Sequence, residues 1–185
     1  MKKVVVIASS PRKNGNSNAI VRAFVRGAEE AGHRVEVVSL IDKNMEFCRG
    51  CMVCNETNKC VIRDDVEEIL DKMQGADVIV FATPVYYYCV SGQLKTFFDR
   101  TSPLFNAKYQ FTDVYLLASA AENLQETVAG TERAVMGWID CFPGTRLVKT
   151  VFAGGVDAVG DIEGHKALQE AYETGKSISK LGGIQ

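Results

Sequence analysis

Four cysteines stand within thirteen residues: Cys48, Cys51, Cys54 and Cys60, spaced C-x2-C-x2-C-x5-C. Thiolates are soft ligands that select zinc or iron–sulfur clusters. Zinc sites usually take two C-x2-C pairs a dozen or more residues apart. Three thiolates at successive two-residue gaps, with a fourth close behind, suit ligands wrapped around a [4Fe-4S] cubane. Gly50 inside the run eases a tight backbone wrap. The competing reading is uncoordinated thiols, serving as a redox sensor or merely spare. Cys89 and Cys141 stand singly among apolar residues and are expected to be buried small hydrophobes.

A second constellation covers residues 9–18, Ser-Ser-Pro-Arg-Lys-Asn-Gly-Asn-Ser-Asn. It follows a short apolar run and precedes a helical pattern. A helix N-terminus offers free N–H groups and a positive dipole end, so it attracts phosphate. Ser10 and Ser17 add hydroxyls, Asn16 and Asn18 amides, and Arg12 a guanidinium. There is no G-x-G-x-x-G for a pyrophosphate and no G-K-[ST] of a nucleotide-hydrolysing loop. A mononucleotide therefore fits better than a dinucleotide. An ordinary polar loop with a good helix cap explains the same residues equally well.

A third stretch is Thr83-Pro84-Val85-Tyr86-Tyr87-Tyr88, followed by Ser91-Gly92-Gln93-Leu94-Lys95. Aromatic side chains at a strand end can cover a flat ring system. They can equally cover a subunit interface, where tyrosine is enriched.

The elements that must position these residues alternate throughout. Strands are expected over residues 3–8, 34–40, 78–82, 113–118 and 146–152. Helices are expected over 17–31, 65–74, from Ser91, over 124–141 and over 163–180. Five strands alternating with five helices imply right-handed crossovers and a doubly wound α/β fold. The expected class is a flavodoxin-like three-layer sandwich, a five-stranded parallel sheet of order 2-1-3-4-5. Ligands of such sheets sit at the carboxyl ends of the strands. Residues 1–185 read as a single domain whose one break in rhythm is a cysteine-rich loop at 41–64. Long loops in compact domains are usually functional. The loop after the fourth strand, from Ser119, should complete a pocket there. Residues 154–160, rich in glycine, read as a plain loop or a lid.

Two of these motifs resemble a known family. Residues 9–17 resemble the G-S-P-R-x-x-G-N-[ST] loop of NAD(P)H-dependent FMN reductases, with Ser9 where that family commonly has glycine. Residues 83–100 are similar to its [ST]-P-x-Y segment with the trailing L-K-x-F-x-D-R. The resemblance implies FMN as cofactor. It makes Ser10, Arg12, Asn16, Ser17 and Asn18 the phosphate ligands. It brings Thr83, Pro84, Val85, Tyr86, Tyr87 and Ser119 to the flavin ring. Asp99 and Arg100 are read as a structural ion pair at a helix end. The cysteine motif resembles that of the iron–sulfur flavoproteins, a branch of the same superfamily. That resemblance implies a cluster on Cys48, Cys51, Cys54 and Cys60. It also implies electrons from ferredoxin or NAD(P)H, a small-molecule acceptor, and a homodimer or homotetramer.

Bulk composition excludes other classes. Lys+Arg is 21 and Asp+Glu is 23, for a net charge of -2. No clustered basic face for nucleic acid is evident. No apolar run approaches the ~18 residues of a membrane span. The start is too briefly apolar for a signal peptide, so the expected location is the cytoplasm. His33 and His165 are expected at the surface without catalytic roles, and Trp138 in the core or an interface. The expected function is an FMN-dependent oxidoreductase. The alternatives are a cluster-free NAD(P)H:FMN or quinone reductase, and a non-enzymatic flavodoxin-fold binding or electron-carrier module.

Overall fold

Alternate side chains of a strand leave for opposite faces, and in this chain both faces of the central strands are apolar. The computed structural model describes residues 1–179. Along it run β1 (Lys3–Ala8), α1 (Asn16–Glu30), β2 (Arg34–Ser39), α2 (Cys54–Thr57) and α3 (Val66–Gln74). Then come β3 (Val78–Pro84), α4 (Gly92–Asp99), β4 (Asp113–Ala120), α5 (Gln125–Ile139), β5 (Arg146–Gly154) and α6 (Lys166–Lys176). Val5 and Ile7 of β1 enter one core, while Val4, Val6 and Ala8 enter the other. β3 divides likewise, Ile79 and Phe81 against Val78, Val80 and Ala82.

Strands buried on both faces need a layer on each. One core gathers Ile20, Phe24 and Ala28 of α1 with Ala167 and Ala171 of α6. The other gathers Val66, Ile69 and Met73 of α3, Leu94 and Phe97 of α4, and Val128 and Val135 of α5. Trp138 belongs to that second core, edge-on to Phe81 at 4.9 Å. The five strands are parallel in the order β2-β1-β3-β4-β5. The fold is a flavodoxin-like three-layer sandwich, and the order reverses beside β1.

α1 and α6 approach closely enough to need glycine. A Cβ built on Gly27 would lie 2.0 Å from the Tyr172 carbonyl oxygen, and one on Gly175 2.1 Å from that of Phe24. Neither neighbour is a flexible side chain, so the helices themselves must part. Gly27→Ala is expected to destabilise the fold by about 1–3 kcal/mol, read as a lower urea midpoint at unchanged m-value.

Several expectations are corrected. Cys89 and Cys141 are exposed: Cys89 closes a tight turn with Tyr86, and Cys141 lies just past α5. His33 is buried, accepting from the Lys2 N–H through Nδ1 at 3.1 Å. Its Nε2 then donates to the Ile178 carbonyl at 3.0 Å, which fixes the neutral tautomer. Asp99 does not pair with Arg100; it pairs with Lys95 at 2.6 Å, one helical turn back. Arg100 turns instead to Asp64, 2.7 Å away. α6 begins at Lys166 because Gly160 and Gly164 hold positive φ and His165 caps it, accepting from the Ala167 N–H. Its expected end at residue 180 lies outside the described residues. The cysteine loop carries α2, a single turn that period-based reading does not detect.

Candidate functional site

α1 begins without a side-chain cap, because its capping residue is Gly15. Its first N–H groups therefore face the strand ends unpaired by the helix. Ser17, in the first turn, shares a hydrogen bond of 2.7 Å with Ser119 at the end of β4. That bond joins the start of α1 to the end of β4, 102 residues apart in sequence. Around this junction lies a cavity of about 200 Å³, lined by Ser10, Arg12, Asn16, Ser17, Pro84, Val85, Tyr86 and Ser119. Gly15, Ala120, Ala121, Val156 and Asp157 complete the lining. Asn16 Oδ1 is buried with no hydrogen-bond partner among the described residues.

A second cleft of about 160 Å³ shares Val85, Ala120 and Ala121 with the first. The two make one trough along the strand ends. Its outer wall is the turn Tyr86–Cys89, where Tyr87 and Tyr88 hold φ of 49° and 60°. Two successive non-glycine residues in the left-handed region store strain. Packing holds the turn in place. The Tyr88 carbonyl abuts α5 so closely that a Cβ on Gly130 would lie 2.0 Å from it. The Tyr88 hydroxyl donates to Glu122 at 3.0 Å, which holds its phenol above the ordinary range.

The trough gathers most of the expected site residues but not all. Asn18 faces away; its Nδ2 donates to the Arg12 and Lys13 carbonyls, bracing the loop. Thr83 lies beneath the floor, accepting from the Ser91 N–H and donating to the Pro84 carbonyl. Tyr87 lines only the outer cleft and its side chain is fully exposed. Ser9 turns inward and donates to the Ala82 carbonyl at 3.0 Å, so it does not obstruct the trough. Arg12 donates to the Asp157 carbonyl at 2.7 Å, and Asn16 to that of Ala158 at 2.9 Å. The loop after β5 thus folds over the first loop. Val156 and Asp157 were not anticipated. Their signal was the glycine-rich run at residues 154–160, read from the sequence as a plain loop or a lid.

Cys48 and Cys51 are exposed, Cys54 and Cys60 half-buried, and none is joined in a disulfide. Burial pushes the Cys54 thiol up, and the nearby Cys60, Cys48 and Cys51 add to the push. The four thiols therefore lie within electrostatic reach of one another. No three acidic, histidine or cysteine groups among the described residues converge to metal-binding spacing. The donor set fits an iron–sulfur cluster in kind, four soft thiols on one loop, while the loop stands open. Met52 and Asn58 hold φ of 61° and 55°, and Gly50 64°, so the loop does wrap tightly at these points.

A family profile described as NADPH-dependent FMN reductase matches residues 2–154. The chain belongs to the NADPH-dependent FMN reductase family. Within that family it is similar to an iron–sulfur flavoprotein of Archaeoglobus fulgidus, 31% identical over 184 residues, covering 96% of this chain and 79% of the relative. An iron–sulfur flavoprotein of Methanocaldococcus jannaschii is 47% identical over 102 residues, covering 55% of this chain and 53% of the relative. The chain thus spans about half the length of that second relative. Among solved structures, an NAD(P)H:quinone oxidoreductase from Methanothermobacter marburgensis superposes with a TM-score of 0.77 at 19% identity. The superposition covers 100% of this chain and 99% of the other. At that identity the likeness bears on the fold alone. In this FMN reductase-family chain no helix among the described residues is long and apolar enough to cross a membrane.

Proposed function

We propose that the chain is an FMN-dependent oxidoreductase of the cytoplasm, passing electrons to a small-molecule acceptor. The trough carries the reading: an uncapped helix end and two hydroxyls at one end, a tyrosine wall at the other. FMN, when bound, supplies reversible one- and two-electron chemistry. The free N–H groups of α1 and the hydroxyls of Ser10 and Ser17 hold its phosphate dianion. Arg12 adds positive charge at the rim. Asn16 Oδ1, a buried acceptor in need of a donor, suits the hydroxyls of the ribityl chain. Pro84, Val85, Tyr86 and Ser119 flank the ring, and Tyr87 projects beyond it toward a second copy in a homodimer or homotetramer. Asn18 and Thr83 hold the loops in shape. No side-chain acid or base is required, since the protein's part is placement and exclusion of water.

Cys48, Cys51, Cys54 and Cys60 hold a [4Fe-4S] cluster in this reading, fed by a one-electron donor such as ferredoxin. The open spacing of the thiols favours a second reading, a cluster-free reductase fed by NAD(P)H. Purification without oxygen tests both. A yellow-brown protein with about four irons per chain supports the first. A yellow, iron-free protein that oxidises NAD(P)H supports the second. A colourless protein that leaves the fluorescence of added FMN unquenched defeats the two together.

A further inference from the structure

The loop between β5 and α6 lies over the first loop, and one side chain dictates how. Val156 and Ile162 are each 4% exposed and belong to the core under α1 and α6. The Val156 N–H also donates to the Ala120 carbonyl at 2.9 Å. Between these two anchors runs a mostly exposed strap, residues 157–161. Asp161 Oδ2 accepts from the Asp157 N–H at 3.0 Å and from the Ala158 N–H at 2.8 Å. One carboxylate oxygen thus serves both groups.

A planar trans peptide points its N–H and its carbonyl in opposite directions. The Ala158 N–H and the Asp157 carbonyl belong to one such peptide. With that N–H turned to Asp161, the carbonyl is turned the other way, where it accepts from Arg12 Nη1 at 2.7 Å. The next carbonyl, that of Ala158, accepts from Asn16 Nδ2 at 2.9 Å. With Nδ2 engaged there, Asn16 has only Oδ1 to offer the cavity that it lines. That oxygen is buried without a partner among the described residues, as an acceptor awaiting a donor would be. Arg12 and Asn16 line the trough, whereas Asp161 lines no part of it.

We propose that Asp161 is a positioning residue for the phosphate end of the trough. It sets the peptide between Asp157 and Ala158, and through that peptide the guanidinium of Arg12 and the amide of Asn16. The proposal rests on the FMN reading above and names what orders the end that takes the dianion. A free surface arginine disperses over many rotamers, and fixing it beforehand reduces the entropy lost on binding. Charge alone predicts the opposite effect. Asp161 puts a carboxylate on the side of the trough that takes a dianion, so removing it would relieve repulsion and tighten FMN binding.

Asp161→Ala removes the acceptor, while Asp161→Asn keeps one oxygen in place without the charge. FMN and riboflavin are each titrated into wild type and variants freed of bound flavin, and quenching of flavin fluorescence gives the affinities. The expected result is FMN binding about tenfold to thirtyfold weaker in Asp161→Ala and close to wild type in Asp161→Asn. Riboflavin, which lacks the phosphate, is expected to stay within about threefold of wild type in both. FMN binding in Asp161→Ala that equals or exceeds wild type overturns the proposal, since the carboxylate then acts by charge or not at all. So does an equal loss in Asp161→Asn, or a riboflavin loss as steep as that of FMN. A wild type that leaves FMN unquenched defeats the FMN reading itself, and the proposal with it. Asp161 is exposed, so neither variant opens a cavity in the core. Should Asp161→Ala nonetheless fail to fold, Asp161→Leu repeats the comparison without an acceptor.

Discussion

Asp64→Ala is expected to cost about 3–5 kcal/mol of folding stability, because it strands the buried Arg100 charge. Arg100 is 1% exposed and has no second carboxylate among its hydrogen-bond partners in the described residues. The loss is the penalty of an unpaired ion, not the worth of the bond. Removing both charges together, as Asp64→Leu with Arg100→Met, is therefore expected to recover most of it. The pair also sets a pH dependence. Burial opposes the Asp64 charge, but the Arg100 hydrogen bonds and the Glu46 and Val66 N–H groups win, so its carboxyl sits below the ordinary range. A group depressed on folding stabilises the native state above its unfolded value, near about 3.9. That contribution is lost as pH falls through the lower folded value. Below about pH 4 the wild type is expected to lose stability more steeply than Asp64→Asn. Urea unfolding at a series of pH values measures both effects. A single-variant cost under about 1 kcal/mol would place Arg100 in water after all.

The sheet was legible because its signal is local. An unbroken β-branched run such as Val4-Val5-Val6-Ile7 has few homes except a strand buried on both faces. The apolar stripe Ile20, Phe24, Ala28 in turn needs a sheet to cover. The loop before α1 was legible as a candidate site for a related reason: residue types around a helix start report the chemistry open to that start. Side-chain direction within a loop is a different kind of information. Asn18 and Thr83 have the right chemistry at the right positions, yet one braces the loop and the other lies under the floor. Their orientation is set by partners that only the folded backbone brings near. The same limit explains Arg100. Lys95 and Asp99 sit one turn apart, the spacing at which helical side chains meet, and they pair. Arg100 finds Asp64 across 36 residues, beyond any local rule. Cys89 looked like a core residue because its neighbours are apolar, but the left-handed pair Tyr87 and Tyr88 turns it outward.

Ser17→Asp is expected to weaken FMN binding by about two to three orders of magnitude. Ser17 lies in the first turn of α1, at the seat proposed for the phosphate. A carboxylate there meets the positive end of the helix dipole, an interaction worth about 0.3–1 kcal/mol in favour of the helix. The same carboxylate would lie close to an incoming dianion. At ~4 Å and an effective dielectric near 20, each pair of unit charges repels by about 4 kcal/mol, more than enough for a hundredfold loss. Ser17→Ala removes the hydroxyl that bonds Ser119 and that is proposed to meet the phosphate, and is expected to cost about tenfold to a hundredfold. Riboflavin supplies the decisive comparison, since it carries the ring without the phosphate. Its weaker binding should be nearly equal in wild type and Ser17→Asp, so the FMN preference over riboflavin should collapse. Quenching of flavin fluorescence during titration measures all of these affinities. If Ser17→Asp binds FMN as the wild type does, the phosphate lies elsewhere. If riboflavin falls as steeply as FMN, the substitution has disturbed the ring site as well, and the assignment of the two ends of the trough must be redrawn.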